Sequence, residues 1–326
     1  MDTITQGALG AVLPQAFARP ETVRASLVAG WLGGAAPDLD ILIRSSDDPL
    51  LQLEYHRQFT HALAFIPFGG LVVAGVLWPL FRRWLSFRTL YLTTTLGYAT
   101  HGLLDACTSY GTQLLWPFSD ARIAWNNVGI VDPFYTVPLL VFVALAAWKR
   151  RVGWARAGVI FAIAYLLVGV IQRDRATEVA RRLAAERGHA ASFVTVKPTI
   201  GNLVLWRSIY LADGRWHVDA VRVAGGSKIY PGGSLAQAKL PDAPPGSALE
   251  HDLRRFAWFS GYTLAVHPDH EDVVGDLRYA ILPDGLRPLW GIRLGQTPPD
   301  RHVPFVTFQR VGDGDLGRFV DMVLGR

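Results

Sequence analysis

Histidine and aspartate occur in short clusters at the ends of apolar stretches of the chain. Asp38 and Asp40 close one stretch, and His56 and His61 open the next. Imidazole and carboxylate groups are the ligands that divalent transition metals take in proteins. Ionisable groups at membrane depth are costly, so they indicate a functional site. These residue types therefore predict a membrane-embedded metal site, against the structural alternative of polar turns and solvated acids.

A third cluster, His101 and Asp105, has the spacing of one helical turn. This spacing places both side chains on the same face of a helix. The pair can therefore bind one ion, or Asp105 can orient the imidazole from behind. A satisfied polar pair inside a helix bundle is the alternative. His56 and His61 are five residues apart, so they need a junction between a loop and a helix to converge.

Two arginines near these clusters are candidates for binding an anion. Arg57 follows His56 directly, and Arg122 ends an aromatic segment that contains Trp116 and Phe118. A guanidinium group can hold a carboxylate or phosphate with two hydrogen bonds. Contacts with lipid headgroups, and an aromatic anchor at the membrane interface, are the alternatives.

The composition indicates a membrane protein of about two domains. The chain has 326 residues, of which 50% are hydrophobic and 18% charged, whereas soluble domains are nearer one quarter charged. The net charge of +5 comes with arginines beside apolar runs, so we expect a membrane surface and no nucleic acid as partner. Cys107 is the only cysteine, which excludes a disulfide framework within the chain.

Apolar stretches long enough to position the clusters in a bilayer occupy the first half of the chain. They cover residues 3–18, 22–36, 63–81, 90–107, 133–148 and 154–171. The first two are rich in Gly and Ala, which predicts a tight helical hairpin. The predicted fold over residues 1–171 is an α-helical multi-pass membrane domain with about four to six membrane helices.

Lysine and arginine in the short turns predict the orientation of this domain. Arg82 and Arg83 lie in one turn, and Lys149 and Arg150 lie in another. Such turns face the cytoplasm. All three His and Asp clusters then lie on the opposite side, which is the periplasm in a Gram-negative inner membrane.

The second half of the chain has the pattern of a soluble domain. Residues 172–188 read as an amphipathic connecting helix, and residues 189–326 as a soluble α+β domain on the outward, periplasmic side. Strands are predicted over 193–196, 203–206, 216–221 and 277–281, and a helix over 247–259.

Several motifs together resemble one known family, the YdjM-like (LexA-binding) inner-membrane metal-dependent hydrolases. Over residues 1–171 they are Met1-Asp2-Thr3-Ile4-Thr5, Pro37-Asp38-Leu39-Asp40, His56-Arg57-Gln58-Phe59-Thr60-His61, His101-Gly102-Leu103-Leu104-Asp105 and Tyr110-Gly111-Thr112. The resemblance implies a multi-pass inner-membrane protein with hydrolase activity on an undefined substrate. Gln6 stands where family members often have His, so the resemblance carries no metal ligand to position 6.

The sequence therefore predicts a membrane-bound hydrolase acting on a phosphoester or lipid-linked substrate, with membrane lipid as a partner. One or two divalent ions, expected to be zinc, would activate a water molecule. Asp40 is the predicted general base, and Arg57 and Arg122 are predicted to stabilise negative charge in the transition state. The predicted metal ligands are Asp38, Asp40, His56, His61, His101 and Asp105.

A second hypothesis is a non-catalytic membrane protein with a structural metal or none, whose C-terminal domain binds a partner. That domain offers one local candidate for a metal motif, between His267 and Asp272, for which a solvated turn is the favoured interpretation. Transport is less favoured because the polar residues lie at one end of the helices. The sequence leaves the oligomeric state open.

Overall fold

The structure is a computed structural model that describes residues 1–295 and 297–326. These residues form two compact units. The first comprises Met1–Leu42 and Tyr55–Val170, and the second comprises Ile43–Glu54 and Ile171–Arg326. Part of the second unit is therefore the short segment 43–54 from the N-terminal half, a division that the sequence did not indicate.

The first unit is helical. Side chains at the helix starts accept hydrogen bonds from free backbone N–H groups: Asp2 caps α1 by accepting from Thr5, and Ser86 caps α5 by accepting from Thr89. Its helices are α1 (Thr3–Gln15), α2 (Val23–Ala35), α3 (Leu51–Tyr55), α4 (Ile66–Phe81), α5 (Phe87–Ala106), α6 (Pro133–Lys149) and α7 (Val152–Glu186). Boundaries between the two units fall within α3 and α7, so each of these helices has residues in both units. Short 3₁₀ turns cover Ala36–Leu42, Phe59–His61 and Leu63–Phe65.

Small residues bring α1, α2 and α5 close together. A Cβ atom on Gly97 of α5 would overlap the carbonyl oxygen of Gly30 of α2, and one on Gly10 of α1 would overlap Gly34. The structure thus has the tight hairpin that Gly and Ala predict for the first two helices. This close packing places the C-terminal ends of α2 and α5 side by side, where two of the polar clusters lie.

Two of the described helical stretches are long and apolar enough to cross a membrane, Leu63–Phe81 and Val152–Glu186. Their apolar side chains face outward, as contact with lipid requires; on α4 these include Val72, Val76 and Leu80. The expectation of about four to six membrane helices is not confirmed. The first two helices have 13 residues each, or about 20 Å, which is shorter than a bilayer core.

The second unit contains two antiparallel sheets, which agrees with the predicted α+β class. One sheet has the order β1 (Phe193–Pro198), β2 (Leu205–Ala212), β3 (Arg215–Val223) and β4 (Ser227–Ala236). The other has the order β5 (Leu264–His267), β6 (His270–Asp276), β7 (Trp290–Arg293) and β8 (Phe305–Thr307). The unit also contains α8 (Ala248–Phe259), capped by Ser247, and α9 (Asp315–Leu324).

Two sequence predictions in this half differ from the structure. The strand predicted over 277–281 is wrong, because β6 ends at Asp276, whose carboxylate accepts hydrogen bonds from the backbone and guanidinium of Arg278 and turns the chain. Residues 172–188, predicted as a separate connecting helix, continue α7 without a break as far as Glu186.

Candidate metal centre

Four predicted ligands of the first unit converge on one small volume. They are Asp38, His61, His101 and Asp105, and one donor atom from each lies within 4.8 Å of all the others. The Nε2 atom of His61 is 3.2 Å from Asp105 Oδ2 and 3.8 Å from Asp38 Oδ1. The Nε2 atom of His101 is 3.3 Å from Asp38 Oδ1 and 3.6 Å from Asp105 Oδ2.

Three elements bring these donors together. Asp38 lies in the 3₁₀ turn that follows α2, His61 ends the 3₁₀ turn before α4, and His101 and Asp105 lie one turn apart on α5. Gly102 lets α5 approach the His61 turn, because a Cβ atom there would overlap the carbonyl oxygen of His61. The predicted shared helix face of His101 and Asp105 is confirmed.

Both imidazole rings are held from behind. The Nδ1 atom of His101 lies 2.5 Å from the carbonyl oxygen of Gly34. The Nδ1 atom of His61 lies 2.9 Å from Thr60 Oγ1 and 3.2 Å from Asp40 Oδ2. Such partners fix the ring orientation and leave Nε2 for a metal. Both Nε2 atoms point into the cluster as a result.

The donor atoms lack hydrogen bonds with one another but have separations that suit a bound metal ion. Although buried, His61 Nε2, His101 Nε2 and Asp105 Oδ2 make no hydrogen bond with the described residues. Buried polar atoms in proteins are rarely left without a hydrogen-bond partner. Metal–ligand bonds of about 2.0–2.1 Å in a tetrahedron separate neighbouring ligands by ~3.3 Å. The observed separations of 3.2 to 3.8 Å are close to that value.

Asp40 and His56, also predicted as ligands, lie beside the four-donor group and bind each other. The His56 Nδ1 atom is 2.7 Å from Asp40 Oδ1. The other oxygen of Asp40 accepts hydrogen bonds from the Arg57 backbone N–H at 3.0 Å and from Thr60 Oγ1 at 2.9 Å. Their role as ligands stays a prediction; their contacts are those of groups that orient His61.

Arg57 lies against the buried end of the cluster in a strained conformation. Its φ angle of 66° is in the left-handed region, which is unusual for a residue other than glycine. This turn of the backbone aims its N–H group at Asp40, while the side-chain Nε lies 3.1 Å from Asp105 Oδ2. Strain of this kind concentrates at functional sites, where the surrounding structure stabilises it.

Arg122 reaches the same region from the loop after α5. Its Nη2 atom donates a hydrogen bond of 2.9 Å to the carbonyl oxygen of Gly111. The guanidinium groups of Arg57 and Arg122 lie 4.8 and 5.4 Å from the centre of the Tyr110 ring. The structure thus brings both predicted anion-binding arginines to one aromatic side chain.

Some contacts of the site have no clear signal in the sequence. Gln6 donates a hydrogen bond of 2.9 Å from Nε2 to Asp105 Oδ1, and the amino group of Met1 forms an ion pair with the same carboxylate. Thr60, which holds both Asp40 and His61, was not predicted either. The sequence signal for Gln6 was that it stands where members of the resembled family often have His.

The surplus of carboxylates makes the centre attractive to cations. Burial alone would lower the pKa of His61, but its interactions with Asp105, Asp38 and Asp40 outweigh this effect and raise the pKa to about 10. Burial raises the pKa of Asp40, yet hydrogen bonds with His56 and His61 lower it below its usual value overall. The carboxylates around His61 therefore favour positive charge at this position, which a bound cation would also supply.

A second group of possible ligands lies in the second unit. One donor atom each from Asp48, Asp252 and His302 lies within 4.8 Å of the others. However, Nη2 of Arg255 contacts both Asp48 Oδ1 and Asp252 Oδ1 at 2.6 Å. The guanidinium group thus takes the place that a cation would need.

His267 and His270 pair across a hairpin with ring centres 4.9 Å apart, but belong to no group of three possible ligands among residues 1–295 and 297–326.

A comparison with known proteins matches the part of the chain that contains the candidate metal centre. A family model described as YdjM inner membrane protein matches residues 1–176. The uncharacterized protein YfhP of Bacillus subtilis is 30% identical over 155 residues, which are 45% of this chain and 46% of YfhP. The inner membrane protein YbcI of Escherichia coli is 33% identical over 120 residues, which are 34% of this chain and 68% of YbcI. The match thus spans about half of YfhP, and no solved structure matches the chain.

Proposed function

Because the chain belongs to the YdjM inner membrane protein family, we propose that it is a membrane-bound, metal-dependent hydrolase. The observation that carries this proposal is the convergence of two imidazole Nε2 atoms and one carboxylate oxygen, all buried and without hydrogen bonds to the described residues. We propose one divalent ion, held by His61, His101 and Asp105 together with Asp38. Two nitrogen and two oxygen donors suit zinc.

An ion held there would lower the pKa of a water molecule and polarise a scissile ester. Asp38 is the donor that faces the substrate in this proposal, because its side chain is 23% exposed while those of His61, His101 and Asp105 are fully buried. The Oδ2 atom of Asp38 accepts a long hydrogen bond of 3.3 Å from Thr3 Oγ1. We propose that this oxygen accepts the proton of the attacking water.

Asp40 is less suited to the role of base, for which the sequence suggested it. Both of its oxygens already accept hydrogen bonds, from His56 on one side and from Arg57 and Thr60 on the other. Neither oxygen of Asp40 is therefore left to accept a proton from water, whereas Oδ2 of Asp38 accepts a long hydrogen bond from Thr3. We keep Asp40 as the alternative base and propose that its main effect is to orient His61.

The proposed substrate is a phosphoester linked to a lipid. Arg57 and Arg122 would stabilise negative charge that develops on the phosphoryl oxygens. Leu39 and Leu42, next to the accessible Asp38 in the chain, are 65% and 66% exposed. Apolar side chains beside the accessible ligand suit an acyl chain better than a soluble phosphate ester.

The position of the lysines and arginines supports a location of this site on the periplasmic side of the inner membrane. Arg82 and Arg83 follow α4, Lys149 is the last residue of α6, and Arg150 begins the turn between α6 and α7. By the positive-inside rule these turns lie in the cytoplasm. We propose a multi-pass arrangement with the C-terminal domain in the periplasm.

A structural metal is the second candidate function, and one observation favours it. Four donors are enough to complete a tetrahedral site, as in structural zinc sites, whereas catalytic sites keep one position open. In that case Asp38 would be a permanent ligand, and the C-terminal domain would bind a partner.

Elemental analysis of the full chain purified in detergent tests both candidates. We expect about one zinc ion per chain in the wild type and none in a His101→Ala variant, since an inner ligand is lost. The same preparations are then assayed on a chromogenic phosphodiester and on phosphatidylglycerol vesicles. Metal with hydrolysis supports the hydrolase, metal without hydrolysis favours the structural site, and a wild type without metal overturns the proposal.

A further inference from the structure

The chain leaves the metal centre after Asp40 and returns to it at His56. The residues between them include the segment 43–54, which belongs to the second unit. This segment therefore connects the turn that carries Asp38, which precedes it, to the turn that carries His61, which follows it. Whatever holds the segment also limits how far its two ends can move relative to each other.

Arg255 of α8 holds this segment within the second unit. Its Nη1 and Nη2 atoms donate hydrogen bonds of 2.7 and 2.6 Å to the two oxygens of Asp48, and Nη1 lies 3.3 Å from Glu54 Oε2. Arg255 is only 5% exposed on its side chain, and Leu50 of the segment is fully buried. One guanidinium group thus binds the middle and the end of the segment.

Arg255 is itself fixed on α8. Its Nη2 atom donates to Asp252 Oδ1 at 2.6 Å. Asp252 also accepts a hydrogen bond of 2.8 Å from the Val303 backbone and lies 3.0 Å from His302 Nδ1. Because its partners hold it from both sides, the guanidinium group cannot follow the segment if the segment moves.

We propose that Arg255 is a positioning residue for the metal centre. By holding Asp48 and Glu54, it restricts the 43–54 segment and so keeps the Asp38 turn and the His61 turn at the separation that an ion requires. If the 43–54 segment were free to move, it would lose more conformational entropy when the ligands come together around the ion. The affinity for the ion would then be lower. This inference rests on the proposed metal centre, which it extends to a residue far along the chain.

Cobalt binding by the full chain in detergent tests this role. Co²⁺ reports ligand geometry through its visible absorption spectrum, which a general loss of stability would not alter in the bound form. We expect Arg255→Met to weaken Co²⁺ affinity about tenfold, as loss of outer partners of a metal site does, and to change the spectrum. Arg255→Lys should recover part of both effects, because an ammonium group keeps the charge but not the paired hydrogen bonds.

Arg254→Met is the matched control. Arg254 is the neighbour of Arg255 on α8, its side chain is 78% exposed, and it pairs with Glu250 on the same helix. We expect this variant to have wild-type affinity and spectrum. Should Arg255→Met not fold, Asp48→Asn removes the charge of one partner alone and should change affinity and spectrum in the same direction by a smaller amount.

The outcomes separate the two proposals. A wild type that binds no Co²⁺ overturns the metal centre, and the role of Arg255 with it. A wild type that binds Co²⁺, while folded Arg255→Met and Asp48→Asn variants match it in affinity and spectrum, overturns the role of Arg255 and leaves the metal centre in place.

Discussion

The imidazole rings of His61 and His101 lie nearly perpendicular, with centres 4.5 Å apart and an angle of 76° between their planes. This arrangement lets both Nε2 atoms approach one point without a clash between the rings. Their Nδ1 atoms meanwhile face different supports, Asp40 for His61 and the Gly34 carbonyl for His101. The pair is therefore oriented for an ion by the fold of the chain itself.

His101→Ala should remove the metal, whereas His56→Ala should only weaken its binding. His101 presents an unpaired Nε2 atom to the cluster, while His56 contacts it through Asp40. Loss of an orienting group typically costs about 10- to 100-fold in affinity. Zinc titration of both variants distinguishes them, and equal loss in the two would place His56 among the direct ligands.

Zinc affinity should rise with pH. The three nearby carboxylates raise the pKa of His61 to about 10, so this ring carries a proton at neutral pH when no metal is bound. Zinc must displace that proton, and the apparent affinity should increase about tenfold per pH unit below the pKa of His61.

Calorimetry in buffers of different ionisation enthalpy measures this release directly. It should report about one proton per zinc ion from this ring. An affinity that stays constant between pH 6 and pH 8 would show that His61 is neutral before the metal binds.

Gly102→Ala should weaken metal binding although position 102 offers no ligand. A Cβ atom there would overlap the carbonyl oxygen of His61, so α5 and the His61 turn must separate. Overpacking of this kind typically costs about 1–3 kcal/mol of stability. Gly75→Ala is the control, because a Cβ atom at Gly75 of α4 meets nothing within 4 Å. Thermal unfolding and zinc titration of both variants check the prediction; equal behaviour would contradict it.

Asp38→Asn and Asp40→Asn should affect catalysis in different ways. If Asp38 accepts the proton of the attacking water, Asp38→Asn should lower kcat by about 10²- to 10⁴-fold even when the variant is saturated with zinc. Asp40→Asn should instead lower zinc affinity, since Asp40 supports His61. Metal content and kcat, measured together on the phosphodiester substrate, decide between the two carboxylates. The reverse pattern would return the role of base to Asp40.

The sequence was informative about which residues meet, because the spacing and the ends of apolar stretches limit where polar groups can lie. His101 and Asp105 follow from helical periodicity alone. The meeting of His56 and His61 at Asp40 does not, since the chain between them has a left-handed conformation at Arg57, which no local pattern indicates. For the same reason the sequence could not separate the four-donor group from Asp40 and His56.

The membrane helices were harder to predict than the site. Apolar composition does not distinguish a helix buried against other helices from one that faces lipid. In α5, for example, Thr94 and Tyr98 are buried and hydrogen bonded to backbone oxygens of neighbouring elements. The role of segment 43–54 was equally hidden, because its partner Arg255 lies some 200 residues away in the chain.

The unequal exposure of the four donors also governs how fast an ion could exchange. Three of them are sealed in the protein, and only Asp38 reaches the surface. An ion could leave only past that carboxylate, after the protein opens locally. Removal by a chelator should therefore proceed at a rate that does not depend on chelator concentration, and a purified preparation would keep the ion that it acquired in the cell.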